Sequence, residues 1–273
     1  MEINRALLDQ VIELSVRAGE AILEIYNSDR DFNTETKADD SPVTDADKAA
    51  HIVLYDALSE IDQNTPILSE EGNMPDFDTR SSWKRYWIID PLDGTKEFIK
   101  RNGEFTVNVA LIENGVPILG VVHVPVLAIT YAGSSDLGAL KIDASGEKPI
   151  EPRTAPVNGQ DPVKVVASRS HGSEAVEKCV NKLEKHFGSA ERKSMGSSLK
   201  LCLVAEGEAD IYPRLAPTSE WDTAAAQAVV EAAGGIVLDD DLKELRYNTK
   251  ADILNPHFYV IGDRDFNWAK LLS

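Results

Sequence analysis

Apolar residues near the start of the chain recur three or four positions apart, at Leu7, Val11, Leu14, Ala18, Ile22 and Ile25. This spacing puts them on one face and predicts an amphipathic helix over roughly residues 3–27. A second helix is predicted to begin near Thr44, and its buried face is expected to comprise Ile52, Leu54, Tyr55 and Leu58.

Strand patterns follow these helices. The segments 105–113 and 116–126 are rich in β-branched residues and flank Asn114-Gly115, the strongest short signal for a two-residue hairpin. The apolar run Trp87–Ile89 leads into Asp90 and predicts a further strand. The first half of the chain is therefore expected to pack an antiparallel sheet behind two helices.

The second half alternates strands with helices. Strands are predicted at 163–168 and Ala209–Tyr212, and helices through Val176–Phe187, through Leu199–Ala205 and in the Ala-rich stretch that ends at Gly234-Gly235.

The stretch 143–162 is rich in Pro, Gly and charged residues, which is typical of a connection. We therefore predict an N-terminal α+β half over residues 1–155 and a C-terminal α/β half over residues 156–273 that closes the site.

Charge narrows the choice of partner. The 273-residue chain has 46 acidic against 28 basic residues and a formal net charge of −18. A nucleic-acid polymer is a poor partner because binding to its phosphate backbone depends on clustered Lys and Arg. An acidic balance suits a protein that concentrates divalent cations, although most of these carboxylates are expected to be solvated surface groups.

The chain has no apolar window approaching 20 residues, and acidic residues run through its first helix. We therefore expect a cytoplasmic protein without a transmembrane segment, and peripheral association with the inner membrane remains an alternative. Cys179 and Cys202 lack metal-ligand spacing and are expected to be buried thiols in a reducing compartment, not a disulfide or a soft-metal site.

The stretch Asp90-Pro91-Leu92-Asp93-Gly94 places two carboxylates three positions apart at the end of a strand. One explanation is a polar turn. The other is a cation site, because Pro and Gly allow a sharp turn that can aim both acids and the Leu92 carbonyl at one point. Mg²⁺ takes oxygen ligands of this kind.

Other polar residues fit the same chemistry, and each has a structural alternative. The backbone N–H groups of Gly94-Thr95-Lys96 open a helix and can seat a phosphate. Glu70 in LSEEG could be a loop acid, and Asp222 in EWD could complement a helix dipole. Asp47, three residues after Thr44, has the spacing of a capping box.

Together these elements resemble the metal-dependent phosphatase superfamily of inositol monophosphatase. The resemblance covers roughly residues 41–235 and rests on Glu70-Glu71, then DPLDGT at Asp90–Thr95, then Trp221-Asp222. The segments DGTKEFI, GEFTVN, SPVTDAD, ASRSH and MGSSLK are similar to its 3′(2′),5′-bisphosphate nucleotidase branch. The resemblance implies a mixed α/β fold, a layered αβαβα sandwich.

The resemblance also implies two or three Mg²⁺ ions. Glu70, Asp90 and the Leu92 carbonyl would hold one ion, and Asp90, Asp93 and Asp222 a second. Glu70 and Thr95 would orient the attacking water, while Asp47 would orient Thr95 or help to hold a third ion. The Gly94 and Thr95 amides would hold the scissile phosphate.

The implied reaction is removal of the 3′-phosphate from adenosine 3′,5′-bisphosphate in sulfur assimilation, with 3′-phosphoadenylyl sulfate as a second substrate and inhibition by lithium. Hydrolysis of inositol phosphates is one alternative, and a non-catalytic ligand-binding relative is another. Further contacts to the substrate are expected from Lys96, Ser168, Arg169, His171, Ser197, Ser198, Lys200 and Asp222, with Arg214 and Glu208 as additional candidates.

Overall fold

The computed structural model describes residues 1–28, 34–36, 42–157, 159–167 and 174–272. The helices are α1 (Arg5–Tyr26), α2 (Asp45–Ile61), α3 (Phe77–Arg80), α4 (Thr95–Ile99), α5 (Glu174–Phe187), α6 (Leu199–Ala205), α7 (Glu220–Ala233) and α8 (Ala269–Leu272). The strands are β1 (Thr34–Thr36), β2 (Pro42–Thr44), β3 (Ile67–Ser69), β4 (Arg85–Asp93), β5 (Thr106–Glu113), β6 (Val116–Val124), β7 (Ile129–Ser134), β8 (Gly138–Asp143), β9 (Gly146–Pro149), β10 (Val163–Ala167), β11 (Ala190–Ser194), β12 (Ile211–Arg214), β13 (Ile236–Asp239) and β14 (Phe258–Ile261).

The larger sheet has seven strands in the order β3-β4-β5-β6-β7-β8-β9. The β3–β4 pair is parallel and every later pair is antiparallel. Asn114 and Gly115 form the hairpin turn between β5 and β6 with φ values of 51° and 77°. Two positive φ values are what a type I′ turn requires, so the predicted hairpin is confirmed.

The smaller sheet has five strands in the order β11-β10-β12-β14-β13. Its first two pairs are parallel, and the pairs that involve β14 are antiparallel. Strands β1 and β2 form a separate two-stranded sheet.

Five layers result. Helices α1 and α2 cover one face of the large sheet, whereas α6 and α7 lie between its other face and the small sheet. Helices α5 and α8 pack together, and α5 covers the outer face of the small sheet. Three apolar cores fill the spaces between these layers. The predicted αβαβα sandwich is therefore confirmed.

Small residues bring α7 unusually close to the large sheet. Gly120 and Gly133 lie opposite each other on β6 and β7. A Cβ on Gly120 would lie 2.1 Å from the Ala225 carbonyl oxygen, and one on Gly133 would lie 2.9 Å from the Ala232 Cβ. The Ala-rich pattern of α7 is thus a packing feature, and it carries the start of the helix toward the end of β4.

The predicted face of α2 is partly wrong. Ile52 and Tyr55 are 59% and 45% exposed, and the helix instead buries Ala46, Ala50, Leu54 and Leu58. These four residues recur every fourth position and form the buried face of the helix. Half of them are alanines, whereas the prediction chose Ile52 and Tyr55 because their side chains are large and apolar.

The predicted connection at 143–162 begins too early, because β8 and β9 extend the large sheet to Pro149. The division at residues 155 and 156 stays a prediction. Both cysteines are buried and free, as expected. Among the described residues, none of the helices combines the length and apolar character needed to cross a membrane.

Candidate active site

The acidic turn lies at the end of β4. Its ladder with β5 pairs Asp90 with Asn108 and Asp93 with Thr106, and the register shifts between those pairs. Inside this irregularity the Leu92 N–H donates to Asp90 Oδ1 at 3.0 Å. The turn is therefore stiffened by its own carboxylate, and it rests on the buried side chain of Leu92.

Glu70 reaches the same place from the neighbouring strand. Because β3 runs parallel to β4, Ser69 pairs with Ile89 and the Glu70 N–H donates to the Ile89 carbonyl at 3.2 Å. The next residue of β4 is Asp90, and the Glu70 and Asp90 carboxyl groups lie within hydrogen-bonding reach of each other.

Asp222 arrives from α7. The Ser219 N–H donates to Asp222 Oδ2 at 2.8 Å, which makes Asp222 the N3 residue of a capping box. Oxygens of Asp90, Asp93 and Asp222 all lie within 4.8 Å of one another. We call Glu70, Asp90, Asp93 and Asp222 the acidic wall.

Burial and crowding disfavour the charged forms of Asp90, Asp93 and Asp222. Burial and then repulsion from Glu70 raise the pKa of Asp90 well above its usual value. Burial and repulsion from Asp93 do the same to the pKa of Asp222. Burial raises the pKa of Asp93 to about 6, against the opposing effects of Lys200 and the Ser198 N–H. A partly buried cluster of oxygen donors with unfavourable charge fits a hard divalent cation.

Thr95 connects the turn to α2. Its hydroxyl donates to Asp47 Oδ1 at 3.1 Å, while the Thr44 N–H and hydroxyl donate to Asp47 Oδ2 at 2.8 and 2.6 Å. Burial raises the pKa of Asp47. The capping box and the contact with Thr95 are both present, so the two interpretations of Asp47 are compatible.

The loop before α6 is hydrogen-bonded to the acidic turn. The Ser197 hydroxyl lies 2.7 Å from the Asp93 carbonyl and 2.8 Å from the Glu104 carbonyl, and the Ser198 N–H donates to Asp93 Oδ2 at 2.6 Å. Gly94 has a φ of 98° and precedes α4, and a Cβ there would lie 2.3 Å from Ser197 Oγ. Only glycine fits this close approach.

A cleft of about 140 Å³ opens beside Asp93, Gly94 and Asp222. Among the described residues, the cations that line it are Lys200 and Arg214, which we call the basic wall. Lys200 Nζ donates to the Ser197 carbonyl at 2.7 Å, and burial lowers the pKa of Lys200 to about 8.

Arg214 donates from Nη2 to the Pro217 carbonyl at 2.8 Å, and its buried Nε has no hydrogen-bond partner within the described part of the chain. Tyr212 and Phe258 add aromatic surface to the cleft. The basic wall can therefore receive an anionic group next to a flat apolar one.

The predicted substrate contacts divide into three groups. Those that line the cleft are Gly94, Ser197, Ser198, Lys200 and Asp222. Lys96 is exposed and Thr95 is half-buried, and neither lines the cleft, while Glu208 instead pairs with Lys193 at 2.6 Å. Ser168, Arg169 and His171 lie outside the described residues.

Sequence reasoning missed Glu97 and Tyr212, which also line the cleft. Tyr212 and Arg214 are two positions apart on β12, so the alternation of a strand puts them on one face. This two-residue alternation is the sequence signal that could have placed Tyr212 beside Arg214 in the cleft. Glu97 lies one turn after Gly94, but the predicted contact was placed on its neighbour Lys96.

This fold and acidic wall define a class of protein. The sequence profile of the inositol monophosphatase family matches residues 4–264. The chain belongs to this family.

Two bacterial relatives show which branch of the family the chain resembles. The chain is 48% identical over 254 residues to the 3′(2′),5′-bisphosphate nucleotidase CysQ of Escherichia coli K12, a match that covers 93% of this chain and 99% of that protein. It is 35% identical to CysQ of Haemophilus influenzae over 273 residues, with 100% and 99% of the two chains covered.

A solved structure agrees with these relatives. The crystal structure of CysQ from Bacteroides thetaiotaomicron, a bacterial member of the inositol monophosphatase family, matches with a TM-score of 0.81 at 41% identity. The match covers 96% of this chain and 98% of that chain.

Proposed function

We propose that the protein is a Mg²⁺-dependent phosphatase that converts adenosine 3′,5′-bisphosphate to AMP and phosphate. The observation that carries this proposal is that one cleft is lined by both walls, by Asp93 and Asp222 of the acidic wall and by Lys200 and Arg214 of the basic wall. Similarity to the CysQ nucleotidases over nearly the whole chain supports the same conclusion.

Four side chains and one carbonyl would hold the cations. Asp90 would be shared, with Glu70 and the Leu92 carbonyl completing one site and Asp93 with Asp222 completing the other. Bound Mg²⁺ supplies an acidified water and neutralises charge on the transferring phosphate. We propose that this donor set holds two or three ions.

Glu70 and Thr95 would prepare the attacking water. The Thr95 hydroxyl donates to Asp47, so its oxygen lone pairs remain available to accept a hydrogen bond from the water. A carboxylate oxygen of Glu70 would accept the water's other hydrogen and take that one proton as the water attacks. The water oxygen forms a bond to phosphorus, the bond from phosphorus to the ribose 3′ oxygen breaks, and that oxygen leaves with a proton from solvent.

The amides of Gly94 and Thr95 would hold the scissile phosphate, because the turn at Gly94 opens α4 beside Asp93. Lys200 and Arg214 would hold the 5′-phosphate, with the nucleoside against the aromatic surface of Tyr212 and Phe258. The second phosphate explains why cations line the cleft. Inositol 1-phosphate offers no such second anionic group.

3′-Phosphoadenylyl sulfate presents the same 3′-phosphate and an anionic 5′ group, so we propose it as a second substrate. Cytoplasmic location and peripheral membrane association stay predictions.

A substrate panel tests the proposal. Phosphate release with Mg²⁺ should be at least about tenfold faster in kcat/KM for adenosine 3′,5′-bisphosphate than for 3′-AMP, because one charge-assisted contact contributes about 1.5–3 kcal/mol. Inositol 1-phosphate should be poorer still. Equal efficiency on inositol 1-phosphate would refute the nucleotidase assignment but keep the phosphatase, whereas full activity in excess EDTA would refute both.

A further inference from the structure

Asp93 is held from inside the protein by one of its two oxygens. Oδ2 receives the Ser198 N–H at 2.6 Å and lies 3.4 Å from both Thr106 Oγ1 and Asn108 Nδ2. Thr106 and Asn108 lie on β5, and Ser198 precedes α6. Two side chains of the large sheet and the backbone N–H of Ser198 therefore meet at this carboxylate, and the Ser198 hydroxyl contacts both of those side chains. We call Thr106, Asn108 and Ser198 the Asp93 support.

All three members of the Asp93 support are at least 98% buried, so their polar atoms have little access to water. The two hydroxyl oxygens are 2.8 Å apart, and Asn108 Oδ1 lies 3.0 Å from Thr106 Oγ1 and 2.8 Å from Ser198 Oγ. Each hydroxyl has a single hydrogen to donate.

Because each hydroxyl has one hydrogen, the possible donors and acceptors in this network are few. Two oxygens 2.8 Å apart must share a hydrogen, so one hydroxyl donates to the other and the second donates to Asn108 Oδ1. In either order the Asn108 amide oxygen is the nearest acceptor for the second hydrogen, at 3.0 Å from Thr106 Oγ1 and 2.8 Å from Ser198 Oγ, against 3.4 Å between Thr106 Oγ1 and Asp93 Oδ2. The amide nitrogen faces Asp93 Oδ2, because a flipped amide would set its oxygen against the carboxylate oxygen with no hydrogen between them.

We propose that the Asp93 support is a positioning device that turns Asp93 Oδ2 inward and so presents Oδ1 to the cation. This inference rests on the proposed function, because it assumes that Asp93 holds a cation. It assigns the side chain of Ser198 to the carboxylate and not to the nucleotide. Outer partners that orient a ligand in this way change metal affinity by about 10- to 100-fold when they are removed.

A purely structural role would show a different result. Buried hydroxyls and amides stabilise a fold whenever their hydrogen bonds are satisfied, so removing one lowers the free energy of unfolding in either case. Only a positioning role also weakens cation binding in the folded protein. Metal affinity without substrate is therefore the decisive measurement.

The experiment titrates Mn²⁺, which takes the same oxygen ligands as Mg²⁺, into protein freed of metal by a chelator, with calorimetry as the readout. Thr106→Val keeps the shape of the side chain and removes its hydroxyl. We expect about tenfold weaker binding at one Mn²⁺ site. Thr106→Ser restores a hydroxyl and should recover most of the affinity.

Thr130→Val is the matched control. Thr130 is a buried threonine in the same sheet, and its hydroxyl contacts His123 at 2.9 Å, away from the acidic wall. The Thr130→Val variant should be less stable than the parent protein but should bind Mn²⁺ with the same affinity. Circular dichroism and urea unfolding establish that each variant is folded before it is titrated.

Ser198→Ala gives a second route to the same answer, since it keeps the N–H bond to Asp93 and removes only the hydroxyl. Because both hydroxyls act through Asn108, the double variant Thr106→Val/Ser198→Ala should bind Mn²⁺ no more weakly than about twofold below the weaker single variant.

Two outcomes would overturn the inference. Unchanged Mn²⁺ affinity in folded Thr106→Val and Ser198→Ala would overturn it and leave the proposed function intact. Failure of the parent protein to bind Mn²⁺ at all would overturn both.

Discussion

The two walls of the cleft differ in how the chain builds them. Most of the acidic wall comes from the ends of the adjacent strands β3 and β4, where the ladder fixes Glu70 beside Asp90 and a short turn fixes Asp93. The basic wall comes from α6 and β12, through Lys200 and Arg214, whose long side chains reach the cleft from two separate elements.

Physical chemistry explains the difference. Carboxylates that repel one another stay together only if stiff backbone holds them, and the cation they are to bind demands defined positions. Two long cations that receive a mobile phosphate need less precision, and the solvated phosphate can adjust to them. A compact sequence motif therefore supplies Asp90 and Asp93 of the acidic wall, whereas no motif joins Lys200 and Arg214.

The largest expected effect comes from the acidic wall. Asp90→Asn removes the carboxylate that both proposed cations share, and kcat should fall by about 10³-fold, the scale of losing a main electrostatic stabiliser of the transition state. In chelator the free energy of unfolding should rise, because a repelled carboxylate has been neutralised. Phosphate release and urea unfolding measure the two effects.

Asp136→Asn is the control, since Asp136 is an exposed carboxylate after β7. Turnover within tenfold of the parent in folded Asp90→Asn would contradict the shared role of Asp90.

The basic wall should show a smaller effect that depends on pH. Burial lowers the pKa of Lys200 to about 8, so its charge is present at pH 7 and is lost as the pH rises through 8. At pH 9 roughly a tenth of free protein molecules would keep the charge, and kcat/KM reports the free protein. The preference for adenosine 3′,5′-bisphosphate over 3′-AMP should therefore decline by up to about tenfold between pH 7 and 9.

Lys200→Arg keeps its charge across this range, so its preference should stay constant, whereas Lys200→Met should show a low preference at every pH. The ratio between substrates cancels effects of pH that both share. A parent preference that is flat from pH 7 to 9 would show that Lys200 does not read the 5′-phosphate.

The sequence predicted the acidic wall better than the basic one for the same reason. Asp90 and Asp93 stand in one stretch whose spacing, Pro and Gly already describe the turn. Glu70 and Asp222 needed the family resemblance, because each alone resembles an ordinary loop or capping acid. The helix cap at Asp47 also places the carboxylate that receives the Thr95 hydroxyl, so the cap is compatible with the role predicted for Asp47.

Arg214 was only an additional candidate, and Tyr212 was missed, because their place in the cleft depends on packing between layers. Gly120 and Gly133 lie under α7 and allow its close packing against the large sheet. The distance between a helix and a sheet cannot be read from a local sequence pattern. Likewise Ile52 was expected to be buried on size alone, although alanines carry half of that face.

The smallest expected effect concerns Ser197, which joins the two walls. Its hydroxyl contacts the Asp93 carbonyl, its own carbonyl accepts from Lys200 Nζ, and its φ is 48°, a left-handed value that costs a non-glycine residue about 1–2 kcal/mol. Ser197→Ala keeps this strain and loses a hydrogen bond, so the free energy of unfolding should fall by about 1 kcal/mol. Ser197→Gly loses the same bond but relieves the strain, and its free energy of unfolding should lie between those of the parent and the alanine variant in urea unfolding.

An alanine variant as stable as the parent would mean that the hydroxyl does not hold the walls together. A glycine variant less stable than the alanine variant would mean that the greater freedom of the unfolded glycine chain outweighs the strain at this position.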